Sequence, residues 1–226
     1  MSVTKKSSPL RASPKPTARI GKSERTRATI LNSALDFIWS HPFRDMTVNS
    51  LMKSTGVGRS AFYQYFKDLH EVMETLLEML QDEIFEIAEP WISGAGDPVA
   101  LLRETLTGLT KVGYQRGPIY RAFVDAAATD ERCEKRWNQF LARFDDAACA
   151  RIEADQKQRL IPLFDARPVA VALNRLDAYT LIQAFGQLPR KKPKPVLEAL
   201  ARVWTSTLYG ARWVSKGYSD LVRRQV

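Results

Sequence analysis

The stretch from Thr47 to Phe66 constrains this chain most: Thr-Val-Asn-Ser-Leu-Met-Lys-Ser-Thr-Gly-Val-Gly-Arg-Ser-Ala-Phe-Tyr-Gln-Tyr-Phe. It reads as two short helices around a tight turn. Thr47 is a good helix N-cap, with Ser50 in place of the Glu or Gln of a strong capping box. Val48, Leu51 and Met52 follow at i, i+3 and i+4 and make one apolar face. Gly56 supplies the left-handed residue that stops the first helix. Val57, apolar inside a turn, is placed to plug the angle between the two. A second helix is expected from about Gly58 to Phe66. Phe62 and Phe66, four apart, point inward, while Arg59, Ser60, Tyr63, Gln64 and Lys67 fall on the other side. One apolar face and one face of hydrogen-bonding side chains suit the major groove of DNA.

Around this stretch the chain reads as helical throughout. A first helix is expected at about 24–40, N-capped by Ser23 and striped by Ile30, Leu31, Ala34, Leu35 and Ile38, with Pro42 ending it. Asp68 caps a helix at about 69–88, lined by Leu69, Val72, Met73, Leu76, Leu77, Leu80 and Ile84. Pro90 and Ser93-Gly94-Ala95-Gly96-Asp97-Pro98 then mark the best break in the chain. Further helices are expected at about 98–115, 118–127, 130–158, 168–187 and 193–216, separated by Gly117-Pro118, Thr129-Asp130, Pro162 and Pro189 to Pro195. No strand alternation and no internal repeat is visible. The fold class is therefore all-α: a three-helix head, a connecting helix and a larger helical body. The divisions are a disordered basic arm at 1–21, a DNA-binding head at 22–67 and a body at 68–226 that begins with the connecting helix.

Charge separates these parts. The net charge is +9. Residues 1–27 hold Lys5, Lys6, Arg11, Lys15, Arg19, Lys22, Arg25 and Arg27 against Glu24 alone, a net +7, leaving +2 for the remaining 199 residues. A basic arm on a nearly neutral body fits a solvated tail or a contact with a polyanion, nucleic acid first, and beside a helix-turn-helix it favours double-stranded DNA. No run of 18 apolar residues is present, so no membrane span is expected. The basic N-terminus lacks the apolar segment of a signal peptide. Cys133 and Cys149 stand without a CxxC and fit buried small hydrophobes in a reducing cytoplasm.

The segment Thr-Gly-Val-Gly-Arg-Ser-Ala-Phe-Tyr-Gln-Tyr-Phe-Lys-Asp, followed by an amphipathic helix, resembles the recognition segment of TetR-type transcriptional regulators. Ala-Leu-Asn-Arg-Leu-Asp-Ala-Tyr-Thr-Leu at 172–181, Leu-Ala-Arg-Val-Trp-Thr-Ser-Thr-Leu-Tyr-Gly at 200–210, and 132–144 with Trp137 are similar to the EthR-type, ethionamide-resistance branch. Together the likeness covers roughly residues 25–210.

For the head, the resemblance implies that Arg59, Ser60 and Ala61 face base edges. Arginine at the start of a recognition helix can make two parallel bonds to guanine. Ala61 stands where the family commonly has Thr and offers only a methyl. Tyr63 and Tyr65 match phosphate-contacting positions, Thr47 a backbone contact, and Gln64 and Lys67 complete the set. Tyr65 also fits packing on the first helix, and Gln64 fits plain solvent exposure. Leu69 replaces a Lys that the family often carries, leaving Lys67 or His70 to take that contact, or the contact absent.

For the body, the resemblance implies a homodimer through the last two helices and a long pocket for a small apolar or amphipathic ligand. Val169, Val171, Leu173, Leu176, Leu181, Ile182, Phe185, Val196, Leu197, Leu200, Val203, Trp204 and Leu208 make those two helices apolar on more than one face. Trp91, Tyr114, Phe123, Trp137, Phe140, Phe144, Tyr179 and Trp204 offer aromatic walls. The branch's aromatic positions fall on Trp137, Phe144 and Trp204, and its two Asn anchors on Asn174 and Asp177. Leu102, Leu109 and Gly113 replace larger residues, which implies a wider or differently shaped cavity. Asp177 would receive a donor on a ligand, pair with Arg175, or point to solvent. The loop Arg190-Lys191-Lys192-Pro-Lys194 reads as solvated.

The function expected is a repressor released from a palindromic operator by its ligand. An enzyme is the rival class, but only His41 and His70 are present, and no phosphate loop, metal spacing or activated nucleophile is visible, so no cofactor is expected. A helical adaptor is the other rival, and the basic arm and the Arg59 face argue against it.

Overall fold

The computed structural model describes residues 21–94 and 96–222, with side chains through Gly210 except that of Lys22. The basic arm, apart from Gly21, lies outside the described residues. Eight α-helices and one 3-10 turn account for the rest: α1 (Lys22–Ser40), the turn Phe43–Asp45, α2 (Val48–Thr55), α3 (Arg59–Phe62), α4 (Leu69–Ser93), α5 (Pro98–Ala127), α6 (Glu131–Lys157), α7 (Ala166–Phe185) and α8 (Pro193–Val222). No strand occurs among the described residues.

The helix starts follow local chemistry. Asp68, Asp97, Asp130 and Asp165 each accept a backbone N–H in the first turn of α4, α5, α6 and α7, satisfying donors that would otherwise be orphaned. α1 departs from expectation: Gly21, not Ser23, is its N-cap, and its N–H donates to Glu24 at 3.1 Å.

Two breaks read from proline and glycine are displaced. α4 runs through Pro90 to Ser93, so the turn into α5 comes later. Pro90 leaves the carbonyl of Glu86, an exposed residue, without its partner, and water can take that bond. The expected pair at 98–115 and 118–127 is one helix, α5, with Pro118 inside it. Pro118 cannot donate to the carbonyl of Tyr114, but the Arg190 guanidinium does, at 2.7 Å. Gly117 lets the end of α7 approach, since a Cβ there would lie 2.3 Å from the Phe185 carbonyl oxygen. α8 continues past 216 to Val222, broken at Gly210 (φ 67°, ψ −172°).

Arg190 also corrects the reading of the 190–194 loop. Its guanidinium lies 3.9 Å above the Tyr114 ring and 5.0 Å from that of Trp39, so the loop is pinned to α5 and α1. Lys191, Lys192 and Lys194 remain exposed.

Two apolar clusters fill the interior. The first runs without interruption from Ile30, Ile38, Leu51, Phe62 and Phe66 through Leu76, Leu77 and Leu80 of α4 into Phe123, Trp137 and Phe140. The second gathers Trp91, Leu102, Ile152, Leu173, Leu181, Phe185, Leu200 and Trp204. α4 contributes to both, and this places it between the head and the rest of the bundle.

Candidate functional site

The head holds two short helices around a tight turn. Thr47 Oγ1 accepts from Ser50 N and Ser50 Oγ accepts from Thr47 N, both at 3.0 Å, so the reciprocal capping pair forms with Ser50 despite its short side chain. Gly56 takes φ 67° and turns the chain. Phe62 and Phe66 are buried, and Val57 packs half-buried against the same cluster.

The second helix is shorter than expected. After Phe62 the chain tightens into turns, with Gln64 N donating to Ala61 O and Tyr65 N to Phe62 O, before Phe66 N returns to Phe62 O. Thr47, Arg59, Ser60, Tyr63, Gln64 and Lys67 are exposed. Tyr63 shows 54% of its surface. Ala61 is half-buried, and Tyr65 packs partly against the core. His70 does not stand in for the missing lysine: its Nε2 lies 2.6 Å from Asp130 Oδ2, facing α6.

The connecting helix and the head are braced by α6 and α5. Arg132 of α6 donates to Asp68 at 2.9 Å and to both oxygens of Glu74, at 2.8 and 3.0 Å. Arg121 of α5 donates to Ile38 O at the end of α1, at 2.5 Å, where a helix C-terminus favours a cation. His70, Asp130 and Cys133 bring donor atoms within 4.8 Å of one another, and these are the residues that could hold a metal ion. A surface cleft of about 540 Å³ opens beside them, between Pro42–Met46, Tyr63 and the start of α6.

Inside the bundle the cavity is smaller than the sequence implied. Two voids, of about 50 and 60 Å³, share Ile84, Leu109, Phe144, Asn174 and Asp177 as lining. Leu102 and Trp204 line the second. Gly113, Tyr114 and Trp137 line neither. The space beside Gly113 is taken by Leu181, whose Cδ2 lies 3.0 Å from where a Cβ would stand. Tyr114 packs on Phe185 and Arg190, and Trp137 stacks on Phe140. Tyr179, expected as a wall, is 64% exposed. The expected widening is therefore absent, because large side chains from α6 and α7 lean into the space.

The polar end is built differently from either simple pairing. Arg175 makes a two-bond pair with Asp145, at 3.0 and 2.9 Å, and Asn174 Nδ2 donates to Asp145 Oδ1 at 3.0 Å. Asp177 is buried and accepts the Trp204 indole N–H at 2.8 Å. Burial pushes its carboxyl up to about 7, with the indole bond pulling the other way.

Tyr120 was missed by sequence reasoning. It lines the first void, and its hydroxyl is buried without a hydrogen-bond partner. Burial, with Asp177 and Glu83 nearby, drives its phenol well above the usual range. The neighbouring Pro118 disguised its position, because it sits in mid-helix and not after a break.

A helix-turn-helix with an exposed polar face, carried on a helix that walls an internal cavity, defines a DNA-binding regulator with a ligand-responsive body. The family model of the C-terminal domain of transcriptional regulator EthR matches residues 102–210. The chain is 29% identical over 201 residues to the HTH-type transcriptional regulator EthR of Mycobacterium tuberculosis, covering 86% of this chain and 91% of that protein. It is 24% identical over 188 residues to the same regulator of Mycolicibacterium smegmatis, covering 81% and 86%. Among solved structures, a TetR-family regulator from Syntrophomonas wolfei superposes with a TM-score of 0.71 at 18% identity, covering 82% of this chain and 96% of that one. The MbdR regulator from Azoarcus superposes at 0.67 and 20% identity, covering 82% and 98%. Over most of its length the chain is similar to EthR-type transcriptional regulators, and it shares its fold with TetR-family regulators. Among the sequence alternatives, these likenesses support a regulator over an enzyme.

Proposed function

We propose that the protein is a homodimeric repressor that holds a palindromic operator and leaves it when a small apolar or amphipathic molecule enters the body. The observation that carries this is the double use of α4. Only Phe66 to Asp68 separate it from the turns that end the recognition segment, and further along Ile84, Ile87, Ala88 and Trp91 line the cavity. Phe85 of α4 stacks on Phe144 of α6, with ring centroids 4.5 Å apart and planes 12° from parallel. Phe144 borders both voids. A molecule larger than either void must displace Phe144 or Leu109, and Phe144 moves against α4. Packed helices shift as units, and such shifts re-aim whatever they carry.

In this reading residues 22–67 form the DNA-binding unit and 68–226 the ligand-binding and dimerising unit. Arg59, Ser60 and Ala61 read base edges, and Thr47, Tyr63, Gln64, Tyr65 and Lys67 hold the backbone. The outer face of α7 and α8, with Tyr179 and Val203 exposed, pairs with its copy. Two-fold pairing sets the recognition helices about 34–36 Å apart, one turn of DNA. No described helix is long and apolar enough to cross a membrane, which supports a cytoplasmic site of action.

The test is a mobility-shift assay on DNA from the protein's own promoter region across a salt series. Binding to that DNA, tighter than to random sequence and falling steeply as salt rises, is expected. Equal affinity for both at every salt concentration would overturn the reading.

A further inference from the structure

The polar end of the cavity contains an acceptor with no cation and a hydroxyl with no partner. Asp177 Oδ1 receives the Trp204 indole N–H, and among the described residues no Lys or Arg forms an ion pair with its carboxylate. Arg175, two residues away, is committed to Asp145. Tyr120 lines the same void, 2% exposed, with its hydroxyl unpartnered. Buried polar groups are ordinarily satisfied, so an orphaned hydroxyl beside an unneutralised carboxyl marks a place where a partner from outside belongs. The remaining walls, Ile84, Leu109, Phe140 and Phe144 among them, are apolar.

We propose that this cavity takes a molecule with a cationic amine head and an extended apolar tail, the head seated between the Asp177 carboxylate and the Tyr120 hydroxyl. The proposal rests on the ligand-binding reading above and names its ligand class. An ammonium group donates three hydrogen bonds and accepts none. It satisfies the carboxylate and a phenolic oxygen at once and neutralises the buried charge. The same carboxylate repels an acid, so fatty acids of the same length are rejected at that end. The tail runs along the second void toward Leu102 and Trp91, displacing Leu109 or Phe144 between the two.

The test compares octylamine, octan-1-ol and octanoate by calorimetry on the full-length dimer at about pH 8, where Asp177 is ionised. Octylamine is expected to bind about ten- to a hundredfold tighter than octan-1-ol, the range of a hydrogen bond to a charged group, with octanoate weakest. Asp177→Asn should remove the preference for the amine while leaving octan-1-ol binding in place. Tyr120→Phe should weaken the amine and the alcohol together. If all three bind alike, or if Asp177→Asn leaves the amine preference intact, the amine proposal is wrong while the ligand-binding reading stands. If none of the three binds, both fail. Circular dichroism of each variant separates lost binding from lost fold.

Discussion

The Trp204 indole N–H donates to Asp177 Oδ1 at 2.8 Å, joining α8 to α7 through a carboxyl that solvent scarcely reaches. That carboxyl is pushed up to about 7 from its ordinary 3.8. The folded chain thus holds a proton that the unfolded chain releases. Stability from this group is complete below about pH 3.8, falls as pH rises toward 7, and is flat above that. Asp177→Asn keeps an acceptor for the indole and removes the titration. Compared with the parent, the variant should lose less stability as pH rises through this window. The difference, on the order of 1–4 kcal/mol, is read by urea titrations at several pH values. Parallel curves for the two proteins would refute a raised pKa at Asp177.

Arg190 fills a gap that Pro118 creates, by donating to Tyr114 O at 2.7 Å. Arg190→Ala should destabilise the fold by about 1–3 kcal/mol, the cost of stranding a part-buried acceptor and losing two ring contacts. Pro118→Ala restores a backbone N–H in reach of that carbonyl. In the Pro118→Ala background the Arg190 substitution should cost about 1 kcal/mol less. A double-mutant cycle with no coupling would separate the two residues.

Arg59 is exposed at the start of the recognition helix. Arg59→Ala should cost about 1–3 kcal/mol on operator DNA and relax one base position. The same change on random DNA should be smaller. Selection of binding sites from a random pool by parent and variant would show which position relaxes, and identical selected sites would remove Arg59 from base readout.

Tyr179 places a large ring on the outer face of α7, 64% exposed in the single chain. In the homodimer proposed above, with the outer face of α7 at its seam, Tyr179→Asp would bury a charge at that seam. Sedimentation should then show a monomer or a dimer weakened at least about tenfold, with DNA affinity falling in parallel. A dimer of unchanged strength would move the seam to another face.

The head was legible because its signals are local. Thr47, Gly56, Phe62 and Phe66 act within a few residues of themselves, through a cap, a left-handed turn and a helical repeat. The body's helices were legible as apolar stripes, yet their ends were not. Pro90 and Pro118 are helix breakers by local rule, but each sits inside a helix. At Pro118 the compensating group, Arg190, lies 76 residues from the Tyr114 carbonyl it reaches, and no local reading finds it.

The candidate cavity shows the same division. Asn174, Asp177 and Trp204 were recognisable from their motifs, and the carboxylate's choice among ligand, Arg175 and solvent was left open. Tertiary packing decided it, by sending Arg175 to Asp145 and placing Trp204 against Asp177. Gly113, Tyr114 and Trp137 pointed to a pocket by position, and packing turned each to another neighbour.

By itself, the sequence determined an all-α chain, a helix-turn-helix with its polar face at Arg59 to Lys67, and a body rich in apolar helices. Capping, turn geometry and the 3.6-residue repeat act at short range and are written residue by residue. Only the tertiary structure decided that α4 serves both the head and the cavity, and that the cavity is small. It alone left Tyr120 without a partner beside Asp177. Those outcomes depend on which side chains from distant helices fill the same space, and close packing settles that for all of them together.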